Sequence, residues 1–266
     1  MFKLYPFVSV NNQIFKSSEA RILATSQGVL YGTGVFTTLK LQDGIPLFFE
    51  KHVDRLQRNA KQLGLETILT KELRESITKL IERNNDANCG MRITIVNNIP
   101  TPDVIITTFP APENSINQSV ISFEDTRDMF KTIKALSRPV NDYAMKQAIK
   151  NDATDALFVN NNLLIESTYA AIISMDHEGN LITPAIDGKG LDSITIATLS
   201  EQEKIRKTDI DITTEGPMIL VSCLRNRSVT SLDKRKLRDA GKLLERVEAL
   251  RKRAEDAYLQ AAARLK

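Results

Sequence analysis

Lys134 lies in the segment Thr132-Ile133-Lys134-Ala135-Leu136-Ser137-Arg138, and thirty-two residues further on comes Ile165-Glu166-Ser167-Thr168. A lysine amine condenses with an aldehyde to form an imine. A carboxylate that follows an apolar pair such as Leu164-Ile165 is costly to bury unless a cation meets it. A pyridine that bears an aldehyde supplies both partners, and this is what pyridoxal phosphate (PLP) chemistry asks of a protein. One lysine among 36 Lys and Arg residues is ordinarily a solvated surface cation, so the pair gains its meaning from what surrounds it.

Other chemistries fit the sequence less well. Cys89 and Cys223 occupy no CxxC or metal-ligand spacing, which suits free thiols in a reducing, cytoplasmic compartment. His52 and His177 form no HExxH pattern, and no metal site is expected. The net charge of +3 demands no polyanionic partner. The basic surplus of residues 234–253 reads as a solvated helix face rather than a nucleic-acid surface, because no strand-borne aromatic cluster lies nearby to stack bases. The start, MFKLYPFVSV, lacks a basic region followed by a long apolar core, and no apolar run reaches the length of a membrane span.

The 266 residues suffice for two α/β domains of similar size. Phe7 to Phe15 alternates around Asn11-Asn12 and predicts a hairpin. A β-branched strand over 35–41 follows Gly32-Thr33-Gly34. Helices are expected over 50–64, stopped by Gly64, and over 70–85, then strands at 91–96 and 104–109. Pro110 to Gln118 resists both helix and sheet and sets an expected boundary, 1–116 for a smaller N-terminal α+β domain and 117–266 for a larger C-terminal one. Beyond it the pattern predicts a strand at 120–123, a helix at 140–150, strands at 156–159, 163–165 and 170–175, and a helix at 192–204 opened by Asp192. Two or three strands over 208–231 and a helical tail from about 236 complete the reading, the tail packing back through Leu237, Leu244 and Val247.

These residues together resemble the class IV aminotransferases, the fold-type IV PLP enzymes, from about residue 20 to 233. The stretch Tyr31-Gly32-Thr33-Gly34-Val35-Phe36-Thr37-Thr38 is similar to the family's YGDGxF segment. His52-Val53-Asp54-Arg55-Leu56 resembles H-x-x-R-L, whose arginine binds the cofactor phosphate. Ile133 to Arg138 resembles IKxLNR, with the imine-forming lysine, and Ile165-Glu166 the segment whose glutamate meets the pyridine nitrogen. Leu191-Asp192-Ser193-Ile194-Thr195 is similar to L-P-G-I-T, whose amides hold phosphate, and Ser222 stands at a phosphate-side hydroxyl position. Each motif alone is weak; six in order are not.

The resemblance implies a two-domain D-amino acid aminotransferase-like fold with a barrel-like C-terminal domain, a homodimer, and PLP held by Arg55, Lys134, Glu166, Ile194, Thr195 and Ser222. It implies a small-molecule substrate, with Tyr31, Thr38, Lys40, Arg92 and Arg138 as candidates to bind it. Phe36-Thr37-Thr38 and Ile133 to Arg138 lean toward 4-amino-4-deoxychorismate lyases, and an aminotransferase of branched-chain or D-amino acids is the alternative. The cofactor half matches the family's pattern, whereas the substrate half departs from it. Asn97-Asn98 replaces an Arg-Gly pair, Ser193 a glycine and Ile196 an arginine.

Overall fold

The computed structural model describes residues 3–65, 71–127 and 129–264. The chain divides into two compact units that are discontinuous in sequence. Unit 1 takes the residues up to Pro112, then Ile133–Ser137, then the end of the chain from Ala261; unit 2 takes Glu113–Thr132 and Arg138–Gln260. The division is not a single cut at 116/117, because five residues around Lys134 return to the first unit.

Unit 1 contains β1 (Phe7–Val10), β2 (Gln13–Lys16), α1 (Gln27–Tyr31), β3 (Gly34–Gln42), β4 (Ile45–Pro46), α2 (Phe49–Gln62), α3 (Lys71–Asn84), β5 (Gly90–Val96) and β6 (Asp103–Phe109). Residue 70, where α3 was expected to begin, lies outside the described residues. Asn11 and Asn12 take φ of 49° and 66°, the left-handed pair that a two-residue hairpin needs. The strands form one antiparallel sheet in the order β2-β1-β6-β5-β3-β4.

One face of this sheet is the core. Val35, Leu39 and Leu41 from β3 and Met91, Ile93 and Ile95 from β5 pack against Phe49, Leu56 and Ala60 of α2 and Leu73, Ile77 and Leu80 of α3. Burying each such aliphatic side chain contributes roughly 1.5–3 kcal/mol. The strand period of two turns Phe36, Thr38 and Lys40 to the opposite face, where Thr38 and Lys40 stay half-buried. Ile133–Ser137 lies along the start of β3. The Phe36 amide donates to the Lys134 carbonyl (2.9 Å), and the Leu136 amide to the Gly34 carbonyl (2.9 Å). Gly34 has to be glycine here, since a Cβ would stand 2.5 Å from both the Ile95 carbonyl oxygen and Leu136 Cδ1.

Unit 2 contains β7 (Ser115–Glu124), α4 (Pro139–Lys150), β8 (Asp155–Asn160), β9 (Leu163–Ser167), β10 (Ala171–Met175), β11 (Leu181–Pro184), α5 (Ile194–Ser200), β12 (Arg206–Thr208), β13 (Met218–Val221), β14 (Asn226–Leu232), β15 (Arg235–Lys236) and all but the last three residues of α6 (Gly241–Ala263). Its nine strands run β12-β11-β10-β13-β14-β7-β8-β9, with β15 on β14. The sheet rolls on itself. The edge strand β9 is met by the segment just after β12, through Leu164 N to Ile210 O (2.8 Å) and Ile212 N to Asn162 O (2.8 Å), which gives the barrel-like form. α6 packs on this sheet through Leu243, Val247 and Leu250, against Ile173, Ile219 and Val221. Leu244 is only half-buried, and Leu237 belongs instead to a core cluster with Leu232 and Val229.

Two local expectations are corrected, and one strand is added. Residues 115–118 form the start of β7, although polar composition argued against a strand. Pairing with β14 holds them, with register shifts around Val229 and a left-handed Asn117 (φ 62°) absorbing the mismatch. α5 is capped by Ser193, whose Oγ accepts from the Ile196 amide (3.2 Å), not by Asp192. β11, whose Pro184 suits an edge-like position beside a three-residue strand, carried no signal strong enough to be anticipated.

Candidate active site

Each unit carries part of the constellation. In unit 1, helix α2 presents His52, Arg55 and Asn59 on one buried face, spaced three and four residues apart. A polar stripe on a buried helix face must be hydrogen-bonded to persist. Asn59 Oδ1 accepts from the Lys134 amide (3.1 Å), and Arg55 Nη2 donates to the Thr37 hydroxyl (3.1 Å). Thr37 Oγ1 stands 2.8 Å from His52 Nδ1. With Arg55 already donating, the set is satisfied when Thr37 gives its proton to Nδ1, which makes His52 the neutral Nε2–H tautomer. Burial, and then the charges of Arg55 and Lys134, push the His52 pKa well below its ordinary value.

On the other face of the sheet, Lys134 Nζ stands 4.8 Å from the centre of the Phe36 ring, and the Arg92 guanidinium lies 3.7 Å from it. Arg92 pairs in register with Thr38 and its Nε donates to Thr94 Oγ1 (3.3 Å). Lys40 follows two residues after Thr38 on the same side. Tyr31 ends α1 and is 69% exposed. Thus Thr38, Lys40 and Arg92 share the face of β3 opposite the core, Thr37 lies on the core side with Arg55, and Lys134, with its Nζ over Phe36, its amide on Asn59 and its charge acting on His52, borders both.

In unit 2, Glu166 of β9 is held by Arg127, whose Nη1 donates to Oε1 (2.6 Å) and whose Nε donates to Asp125 Oδ1 (2.8 Å). The guanidinium lies over Phe158, 3.8 Å from the ring centre. Glu166 also accepts from the Leu191 amide (3.3 Å), an approach that Gly190 permits because a Cβ there would meet Oε1 at 3.2 Å. Burial raises the Glu166 pKa and Arg127 opposes that rise. A buried carboxylate whose charge is opposed by burial and supported by a cation fits a protonated pyridine nitrogen as a further partner.

Arg138 opens α4, and its Nη2 donates to the Thr168 carbonyl (2.6 Å) beside the Tyr169 ring. Burial lowers its pKa. Thr168 is itself fixed by Asp155, which also pairs with Arg227 (2.8 Å), so Arg138 rests on a buried network. Ile194 and Thr195 begin α5, ahead of the intrahelical bonds, so their amides are the first-turn donors that an anion would meet. Ser222 follows β13. Its Oγ donates to the Arg225 carbonyl (3.2 Å), and Arg251 of α6 donates to the Ser222 carbonyl (2.7 Å).

Arg127, Asn59 and the Thr37–His52 pair were not anticipated as site residues. Asp125-Thr126-Arg127, two opposite charges immediately after a strand, was the available signal for the first. Nothing local marked Asn59, whose partner lies 75 residues away. Among the described residues no His, Cys, Asp and Glu grouping could hold a metal ion, and no helix is long and apolar enough to cross a membrane.

Comparison with known proteins identifies the family. Residues 34–214 match the model of the amino-transferase class IV family, and the chain belongs to that family. A D-alanine aminotransferase of Staphylococcus epidermidis is 25% identical over 217 residues, 74% of this chain and 77% of that protein. The aminodeoxychorismate lyase of Bacillus subtilis is 32% identical over 108 residues, 40% of this chain and 37% of that protein. Among solved structures, a PLP-bound hypothetical aminotransferase from Mycobacterium tuberculosis superposes with a TM-score of 0.85 at 19% identity, covering 94% of this chain and 98% of that one. A putative 4-amino-4-deoxychorismate lyase from Legionella pneumophila gives 0.81 at 22% identity, covering 91% and 98%. The fold is thus fold type IV, and the chain is a PLP enzyme of the class IV family.

Proposed function

We propose that the chain is a 4-amino-4-deoxychorismate lyase, releasing pyruvate and leaving 4-aminobenzoate, a step of folate synthesis. The observation that carries this reading is the cationic sheet face bearing Lys134. Arg92 and Lys40 flank Thr38 there, and two cations suit a substrate with two carboxylates. Arg138, Thr38 and Tyr31 are the further candidates for substrate contact.

Bound PLP supplies an electron sink for the charge left when the substrate loses its α-proton. The chain's own residues would do the rest. Lys134 Nζ would be the amine that holds the cofactor and the base that moves the α-proton. Glu166, steadied by Arg127, would keep the ring nitrogen protonated. Arg55, the Ile194 and Thr195 amides and the Ser222 hydroxyl would be the donors to the phosphate.

A second reading, an aminotransferase of D- or branched-chain amino acids, is favoured by the relatives named D-alanine aminotransferase, which align with about three quarters of the chain. In either case a second copy of the chain is the proposed partner. The exposed Ile22, Leu23, Val29, Leu30 and Tyr31 supply apolar surface for it. The cytoplasm is the proposed compartment, consistent with Cys89 and Cys223 as free thiols.

The deciding experiment compares pyruvate release from aminodeoxychorismate with keto-acid formation from D-alanine and leucine. Pyruvate and 4-aminobenzoate in equal amounts support the lyase. Keto acid from the amino acids, with no 4-aminobenzoate, replaces it with the aminotransferase.

A further inference from the structure

Ser222-Cys223-Leu224-Arg225 joins β13 to β14, and the segment holds no glycine, proline, asparagine or aspartate to set the backbone of the turn. The turn closes on itself: the Ser222 amide donates to the Arg225 carbonyl (3.0 Å), and the Arg225 amide donates to Ser222 Oγ (3.3 Å). From outside it is gripped by one residue of the C-terminal helix. Arg251 Nη2 donates to the Ser222 carbonyl (2.7 Å) and to Asn226 Oδ1 (2.6 Å), and Nη1 donates to the Cys223 carbonyl (3.2 Å). The planar fork thus fixes two successive peptide units and the first residue of β14. The grip starts from a packed surface, because Val247 and Leu250 of α6 share a core cluster with Ile219 and Val221 of β13. A second tie runs through Asn114, whose Nδ2 donates to Glu248 Oε1 of α6 (2.8 Å) and whose Oδ1 accepts from the Asn226 amide (2.9 Å).

The Ser222 hydroxyl has a single proton, directed at the Arg225 carbonyl. That proton can swing to an anion without orphaning a group, since the Ser222 amide still donates to the Arg225 carbonyl and the Arg225 amide still donates to Oγ. What the anion needs is that Oγ stand in one place. We infer that Arg251 is a positioning residue for the cofactor phosphate: by holding the Ser222 and Cys223 carbonyls it sets the direction in which the Ser222 hydroxyl donates. The basic tail, which the sequence presents as a solvated face, thereby turns one arginine inward onto the turn. The inference rests on the reading of Ser222 as a phosphate donor, and its test separates the two.

The experiment titrates apo-protein with PLP and with pyridoxal, which lacks the phosphate, and takes the ratio of the two dissociation constants as the readout. Ser222→Ala should cut the preference for PLP about tenfold, the scale of one hydrogen bond to a charged group. A preference kept at the wild-type level shows that Ser222 does not hold the phosphate, and the reading and the inference fall together. With that control behaving as expected, Arg251→Met should cut the preference about fivefold and leave the affinity for pyridoxal unchanged. Arg251→Lys keeps the charge without the planar fork and should lose about threefold, so it carries the test if the methionine variant does not fold. Combining Arg251→Lys with Ser222→Ala should cost no more than Ser222→Ala alone, because the arginine acts through that hydroxyl. An unchanged preference in Arg251→Lys, losses that multiply in the double variant, or an equal weakening of PLP and pyridoxal overturns the inference while leaving Ser222 in place.

Discussion

The Lys134 amide donates to Asn59 Oδ1 at 3.1 Å, so the helix that carries Arg55 also fixes the backbone of the lysine. Replacing Asn59 with Leu leaves that amide without its partner. About 1–3 kcal/mol of stability should be lost in urea unfolding. Turnover should fall beyond what the change in folded fraction explains. Wild-type turnover in Asn59→Leu would show that the contact positions nothing.

Lys134→Ala should give a colourless protein that borohydride no longer couples to the cofactor. Its turnover should fall by about a thousandfold or more. A variant that keeps full activity would remove the lysine from the chemistry.

Arg127 stands between two carboxylates, Asp125 and Glu166, all with side chains at most 12% exposed. Arg127→Met should cost about 3–5 kcal/mol, because it takes the shared ion pair from two buried carboxylates and leaves Asp125 only the longer one with Lys131 (3.7 Å). Adding Asp125→Asn should recover part of the loss. Denaturant titration of the single and double variants reads both effects, and additive losses would deny the coupling.

His52 gives the protein a pH dependence of known sign. Its folded pKa lies well below the ordinary value of 6.5, lowered by burial and by Arg55 and Lys134, so the unfolded chain binds a proton that the folded chain refuses. The stability this contributes is full above the unfolded pKa and is lost as pH falls from there toward the folded value. Melting temperature should drop through that acid window in the wild type, and His52→Asn should flatten the drop. Equal slopes for both proteins would assign the effect to other groups.

Gly34→Ala should destabilise unit 1 by about 1–3 kcal/mol, since the new methyl must displace both the Ile95 carbonyl and the Leu136 side chain. A midpoint of denaturation unchanged from the wild type would contradict the close approach.

Much of this was legible in the sequence. The hairpin at Asn11-Asn12 followed from residues that tolerate left-handed φ, and α2 from its apolar spacing and Gly64 stop. Motif order marked Arg55, Lys134 and Glu166. Long-range partners were not legible. Thr37, His52 and Asn59 become meaningful only when β3, α2 and the Lys134 segment are packed, and Arg127 only when β9 is beside it. β7 was obscured because its first residues are polar and their pairing is set by β14, more than a hundred residues later. The substrate remained open because Lys40, Arg92 and Arg138 have no spacing that separates an exposed cation from one on the Lys134 face.

The return of Ile133–Ser137 to the first unit has a consequence for synthesis on the ribosome. A nascent chain that has emerged only to Pro112 has all the strands of the first sheet, yet the Phe36 amide and the Gly34 carbonyl still lack the partners that Lys134 and Leu136 provide. The N-terminal module therefore cannot finish folding before its successor has begun to appear. An excised 1–112 fragment should expose that unfinished edge and self-associate, whereas one carrying residues 133–137 on a short tether should not.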